Sequence, residues 1–404
     1  MDATRLWPLE GVVQRYAWGS RTAIPEFLGV APDGEPQAEL WLGAHPNAPA
    51  RVRPDAGDAA SLDACIARDP DAVLGADVAR RFDGQLPFLV KVLAAEAPLS
   101  IQAHPNSEQA IEGFAREGRR GLPRTAETRC YRDPHPKPEL ICAIAPFRAL
   151  SRFRSAADIE ARITALRVPE LETVLVPLRE APDRDGLAAF FQRWMTLGDA
   201  KRAGILGRVV AAASVRSASD PACAEVEHLA GVYPGDPGVL APLFLNLVEL
   251  QPGEAMYLPA GELHSYLRGV AVEVMANSDN VIRGGLTPKH VDVDELLSIL
   301  SFASGDVDVM HAVPNGSHEA RYATPNPEFA MSVVQPGAAG WRSPGSRGAE
   351  VVLCIEGRLR ATDASGRNIA MDTGSSLFAP AAAKGYTLHG GGTAFRVHAP
   401  PPGG

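Results

Sequence analysis

The chain lacks the features that would tie it to a membrane, to nucleic acid or to an oxidising compartment. None of its 404 residues falls in an uninterrupted apolar stretch approaching about 18 positions, so no membrane span is expected. Residues 1–7 do not show a basic region followed by an apolar one, the pattern of a secretory leader. The five cysteines, at 65, 130, 142, 223 and 354, are odd in number and have no CxxC spacing. They read as reduced, mostly buried thiols of a cytoplasmic protein. The formal net charge is −9, the basic residues are scattered, and no long run of like charge occurs. That argues against a nucleic-acid surface but leaves room for a local basic pocket for a small anion. No Gly-rich nucleotide loop is present.

What the chain has is length, glycine and proline. A chain of 404 residues exceeds one ordinary core, so two or three domains are expected. Its 38 glycines and 35 prolines suit short strands joined by turns. Residues 1–105 carry short apolar runs between turn residues, with 87–93 the clearest strand. Asn106 followed by Gln109 predicts a helix start, and Ile111, Phe114 and Ala115 keep helical spacing after it. From 151 to 240 the pattern is helical. Ser155 caps a segment bearing Ile159, Ile163 and Leu166, and two more apolar stripes follow over 187–195 and 205–213. Strand texture returns over 243–250 and runs to Asn277, followed by a short helix over 293–300. From about 325 the chain is strand and turn. There, Gly374 and Pro380 echo Gly253 and Pro259 in spacing. Five residues beyond Pro259 stands His264, whereas five beyond Pro380 stands Gly385, which has no side chain to offer a metal. A second copy of the same small β-barrel, without metal, is therefore expected.

Three segments carry the candidate chemistry: Ser100-Ile-Gln-Ala-His-Pro105, Lys137-Pro-Glu139, and the run from Gly253 to Tyr266. Gln102 and His104 are two apart, as are Lys137 and Glu139, and His264 and Tyr266. In a strand that spacing points both side chains to one face. They would face inward if a barrel interior is the site. Pro136 and Pro138 suit an edge or a bulge. Gln102, His104, Glu139 and His264 offer an amide oxygen, two imidazoles and a carboxylate, a plausible ligand set for a divalent metal. Zinc held this way would keep a net charge of about +1 and room for water or substrate. His45, His228, His311, His318 and His398 read as ordinary surface or core histidines.

The pattern Gly-x5-Pro-x-Gly-x2-His at 253–264 resembles the second motif of the cupin superfamily, with Arg268 where an Asn is common. Taken in order, further stretches resemble type I phosphomannose isomerases. They are Tyr16-Ala-Trp-Gly19, residues 38–46, Pro98 to Pro105, Tyr131-Arg-Asp-Pro134, Lys137-Pro-Glu139, residues 261–267 and residues 273–289. The resemblance covers most of 16–300. It implies a mainly β fold with a helical domain. The parts would be a cupin-type jelly-roll catalytic barrel (1–150 plus 241–320), an inserted α-helical domain (151–240) and a second cupin-like C-terminal barrel lacking metal (321–404). It also implies one zinc ion per chain on Gln102, His104, Glu139 and His264, and an essential Arg283.

The implied reaction interconverts mannose 6-phosphate and fructose 6-phosphate through a cis-enediol, supplying mannose 6-phosphate for GDP-mannose synthesis or mannose catabolism. Arg283 and the metal would stabilise the enediolate. Glu273, Lys137, Tyr266 and His104 remain open as the base, with a zinc-held His104 the weakest because its free nitrogen is normally engaged. Ser100, Lys289 and Arg283 are the phosphate candidates. Trp18 reads as packing or a pocket wall, and Glu39 and His45 have similar standing. A phosphorylated sugar is the expected partner of a cytoplasmic monomer. The chain departs from the family pattern at His135-Pro136, Ala97 and Ser265. A metal-dependent cupin dioxygenase and a non-catalytic sugar-phosphate-binding cupin are the alternatives. The Ser100, Lys137, Arg283 and Lys289 set argues against the first. The lack of a basic-faced helix pair over 151–240 argues against a DNA-binding version of the second.

Overall fold

The computed structural model describes residues 2–53, 59–345 and 348–401. It is mainly β, with helices concentrated between Ala156 and Phe244. Two antiparallel sheets of ten and eleven strands carry the architecture.

The ten-stranded sheet is organised by one long strand, His264–Ala276. Its first part pairs with the strands Ile101–Ala103 and Phe147–Phe153. Its second part pairs with Phe88–Ala95 and Glu139–Ala143. Between the two parts the register shifts, at Tyr266 to Arg268. Gly269 follows at φ 124, a conformation that favours glycine, and a side chain there would strike Pro146. A straight strand would separate Tyr266 from Glu273 by roughly 23 Å and point them to opposite faces. Instead the Tyr266 hydroxyl donates to Glu273 Oε1 at 2.9 Å. The bulge and bend therefore wrap the strand round an interior and return both side chains to it.

The alternation along Ile101–Ala103 shows how the helices back this interior. Ile101 and Ala103 bury against the helical core, while half-buried Gln102 points the other way. That core is aromatic: Phe153, Phe190, Phe191, Phe244 and Phe302 meet in stacked and edge contacts. The helix expectations hold closely. Ser155 Oγ accepts the Asp158 N–H at the start of Ala156–Ala165. Leu187, Phe190, Phe191, Trp194 and Met195 are all buried in Arg184–Met195.

Four expectations need correction. The helix Ser107–Arg119 has the foreseen capping box at Asn106 and Gln109, but Ile111 is 58% exposed. Ala110, Gly113 and Glu117 face inward, because the Glu117 carboxylate accepts the N–H groups of Cys130 and Tyr131. Residues 243–244 end the short helix Ala241–Phe244, and the strand is Leu245–Leu250. Helices Leu62–Arg68, Pro70–Leu74 and Ala76–Arg81 interrupt a region that read as strand and turn. They bury Leu62, Ile66, Leu74 and Val78 in a core shared with Phe329, Val351 and Phe378 of the second sheet. Finally, residues 1–150 do not all join the first sheet. Trp7–Glu10 pairs with Ser376–Ala379 and with Arg51–Val52, since Trp7, Leu9 and Val52 belong to that shared core. All five cysteines are free and buried.

Candidate metal centre and cation cluster

Glu139 opens a strand whose five residues are all buried. His104 Nε2 lies 3.3 Å from Glu139 Oε1, and His264 Nε2 lies 3.4 Å from Glu139 Oε2. The candidate donor atoms of the three residues all lie within 4.8 Å of one another. Each imidazole is fixed from behind. His104 Nδ1 meets the Asn280 carbonyl at 2.7 Å, and His264 Nδ1 meets the Glu262 carbonyl at 3.0 Å. With Nδ1–H donating to those carbonyls, each Nε2 presents a lone pair to the interior. Neither Nε2 makes a hydrogen bond, although both are buried. A buried nitrogen without a partner costs free energy unless something else takes its lone pair. Two such nitrogens facing one carboxylate fit a divalent cation such as zinc.

Register brings the fourth expected ligand to the same place. Ser151, His264, Gln102 and Arg283 stand directly opposite one another across four strands. Side chains so placed share a face, a few ångströms apart. Gln102 therefore flanks His264 on the interior side, and Arg283 follows on the far side of Gln102.

Protonation favours metal binding. Burial, and then the Lys137 charge, push His104 down to about 4, so its imidazole is neutral. Burial opposes ionisation of Glu139, but Lys137 with Nζ at 3.1 Å and then His104 hold it well below the usual carboxylate range. The cage thus holds an ionised Glu139 and a neutral His104 before any metal arrives.

A buried polar chain leads away from the cage. The Tyr266 hydroxyl lies 3.4 Å from Glu139 Oε2 as well as bonding Glu273. Glu273 Oε2 lies 3.0 Å from Lys91 Nζ, and Lys91 lies 3.8 Å from Glu39 Oε1. Glu39 Oε2 accepts the Trp41 indole N–H at 2.6 Å. Burial, and then the neighbouring carboxylates Glu139 and Glu39, raise Glu273, although Lys91 works against them. Burial and Glu273 push the Tyr266 phenol well above its usual range. Lys91 is raised in spite of burial because Glu273 and Glu39 flank it.

A second charged group lies beyond Gln102. Burial depresses Arg283, and Arg132 depresses it further. Burial, then Arg283 and Arg132, depress Lys289. Arg132, Arg283 and Lys289 thus stand within electrostatic reach of one another, with Glu127 as a counter-charge near Lys289. Asn280 links this group to the cage. Its Oδ1 accepts the Arg132 N–H at 2.7 Å, and its backbone carbonyl holds His104.

Residues 6–156 match the family model for the catalytic domain of type I phosphomannose isomerase. The mannose-6-phosphate isomerase of Salmonella typhimurium is 38% identical over 390 residues, 96% of this chain and 97% of that protein. The human mannose-6-phosphate isomerase is 33% identical over 411 residues, 94% of each chain. The chain belongs to the mannose-6-phosphate isomerase family. Among solved structures it resembles that of the Salmonella typhimurium enzyme bound to its substrate, fructose 6-phosphate, and to zinc. The TM-score is 0.91 at 35% identity, covering 98% of this chain and 100% of that one. A zinc-bound mannose 6-phosphate isomerase gives a TM-score of 0.90 at 36% identity, with the same coverage.

Of the expected site residues, the structure brings Gln102, His104, Glu139, His264, Lys137, Tyr266 and Glu273 to one interior. Arg283 and Lys289 lie close enough for their charges to interact. Ser100 stands half-buried, one residue before the Gln102 strand. Trp18 packs at the edge of the interior core, stacked on Tyr16 with centroids 5.8 Å apart. Two residues escaped the sequence reading. Lys91 had a signal: it is the one charged residue in a strand whose eight positions are all buried, so it must be paired there. Arg132 had only its place in Tyr131-Arg-Asp-Pro134. No helix among the described residues is long and apolar enough to cross a membrane.

Proposed function

We propose that the chain is an aldose–ketose isomerase that interconverts mannose 6-phosphate and fructose 6-phosphate. It would hold one zinc ion through His104, Glu139, His264 and Gln102. The observation that carries this reading is the pair of orphaned imidazole nitrogens on Glu139, set one strand from a cluster of three cations. Zinc, when bound, supplies Lewis-acid polarisation of the sugar oxygens.

The chain's own residues do the rest. Arg132, Arg283 and Lys289 take the phosphate, with Ser100 a fourth candidate. Arg283, beside Gln102, also faces charge that develops on the enediol oxygens. The proton shuttled between C1 and C2 needs one base that reaches both carbons. Glu273 suits it best: its carboxylate is buried, raised, outside the metal cage, and oriented by Tyr266 and Lys91. His104 does not, since Nδ1 is engaged and Nε2 faces the cage. Tyr266, with its raised phenol, serves as a donor, and Lys137 pairs with Glu139.

On the same reading the ten-stranded sheet is a cupin-type jelly roll, the helices between 151 and 240 an insertion, and the second sheet a cupin-like barrel without metal. The two glycines at matching turns, Gly253 at φ 88 and Gly374 at φ 86, support the duplication. We also read the protein as a cytoplasmic monomer that supplies mannose 6-phosphate for GDP-mannose synthesis or mannose catabolism.

The test uses metal-stripped protein, with and without added zinc, beside a His264→Ala variant. Zinc should restore isomerisation to the wild type. The variant should bind zinc at least about 100-fold more weakly, since even loss of a supporting hydrogen bond costs up to that. A folded, zinc-loaded wild type that does not turn over mannose 6-phosphate would sink the proposal.

A further inference from the structure

We propose that the turn at 233–238 is a clip that positions the phosphate side of the site, with Asp236 at its centre. This rests on the reading of Arg283 and Lys289 as phosphate groups. The turn closes the helical region, yet its bonds reach two site segments distant in sequence. Asp236 Oδ1 accepts the N–H groups of Gly238 at 2.7 Å and Leu286 at 2.8 Å, and Oδ2 accepts that of Thr287 at 3.1 Å. The Tyr233 hydroxyl donates to the Pro98 carbonyl at 2.7 Å. One turn thus holds the chain leading into Ser100 and Gln102, and also the chain between Arg283 and Lys289.

Backbone contact makes the grip tight. A Cβ on Gly285 would come within 2.9 Å of Gly238 Cα, and one on Gly238 within 2.8 Å of the Leu286 nitrogen. The held loop is also strained, with Gly285 at φ 142 and Leu286 at φ 52. A non-glycine residue keeps positive φ only where its surroundings enforce it. The Asp236 carboxylate supplies that enforcement, because a charged acceptor holds N–H groups more strongly than a neutral one. The Lys289 N–H then caps Thr287 Oγ1 at 3.1 Å, so the order extends to Lys289. Asp236 is a positioning residue: it acts through the loop, and its own oxygens are occupied by backbone.

Asp236→Asn keeps the shape but sets an amide where three N–H groups converge. KM for mannose 6-phosphate should rise about 10- to 100-fold, the range for losing a hydrogen bond to a charged group. Competitive inhibition by inorganic phosphate should weaken by the same factor, with kcat within about 3-fold and zinc content unchanged. Lys289→Gln is the control. If it leaves phosphate inhibition intact, the phosphate reading itself fails, and the clip with it. If it weakens phosphate while a folded Asp236→Asn does not, the clip alone is refuted. Should Asp236→Asn not fold, Tyr233→Phe decides. A phosphate inhibition constant raised about 3-fold at unchanged kcat supports the clip, and an unchanged constant overturns it.

Discussion

Replacing Lys91 by Met strands two carboxylates inside the first sheet. Lys91 Nζ stands 3.0 Å from Glu273 and 3.8 Å from Glu39, and all three side chains are 8% exposed or less. At 3.0 Å a unit pair interacts by about 5 kcal/mol for an effective dielectric near 20. Breaking a buried pair from one side typically costs about 3–5 kcal/mol. Glu273 limits the loss. Its carboxyl is already raised by burial, so without Lys91 it takes up a proton instead of staying charged. The expected cost is about 3 kcal/mol near pH 7.5. It should shrink toward pH 5, because the variant's folded state then binds a proton that the unfolded chain does not. Urea unfolding at both pH values reads this directly. The double variant Lys91→Met/Glu273→Gln removes both charges and should recover about 2 kcal/mol of the loss, while isomerisation is lost with the Glu273 carboxylate. A single variant that loses less than about 1 kcal/mol, or a double variant as unstable as the two singles combined, would refute the idea of a buried, mutually dependent pair.

Two further outcomes are expected. Arg132→Ala should raise KM for mannose 6-phosphate about 10-fold by removing a charge-assisted phosphate contact. An unchanged KM would remove Arg132 from the phosphate group. In the second sheet, burial opposes ionisation of Glu350, but Arg396 at 2.6 Å more than offsets it, so the folded carboxyl lies below its ordinary 4.5. A lowered folded value contributes stability above pH 4.5 that is lost as pH falls through it. Glu350→Gln should therefore be about 3 kcal/mol less stable at pH 7, with the gap closing below pH 4. A gap that stays constant across that range would contradict the assignment.

The cluster of His104, Glu139 and His264 was legible through the three short motif segments. Strand spacing alone explains only His264 and Tyr266, because the strand Ile101–Ala103 ends before His104 and the strand Glu139–Ala143 begins after Lys137. The helical cores were legible through their apolar spacing. Four features were not fully so. Lys91 stood out as the lone charge of an apolar strand, but its partners Glu39 and Glu273 lie on other strands and periodicity does not name them. The join of Trp7–Glu10 to Ser376–Ala379 spans nearly the whole chain, and no local pattern encodes such a pairing. Glu117 took the inward place expected of Ile111 because two backbone N–H groups wait for it there, a tertiary demand that overrides amphipathic spacing. The contact between Tyr266 and Glu273 is also invisible to alternation, which assigns residues seven apart to opposite faces.

The register shift at Tyr266 to Arg268 gives the long strand something like a reading frame in space. Upstream, His264 and Tyr266 point inward on even positions; downstream, Ala271 and Glu273 do so on odd ones. Losing one residue at Leu267 would leave every later side chain intact yet turn it to the other side. Val272 and Val274 would enter the polar interior, and Glu273 would be pressed into the apolar core that those valines share with the second sheet. Drift in sequence along this strand can proceed residue by residue, but a change in its length of a single residue breaks the site at once.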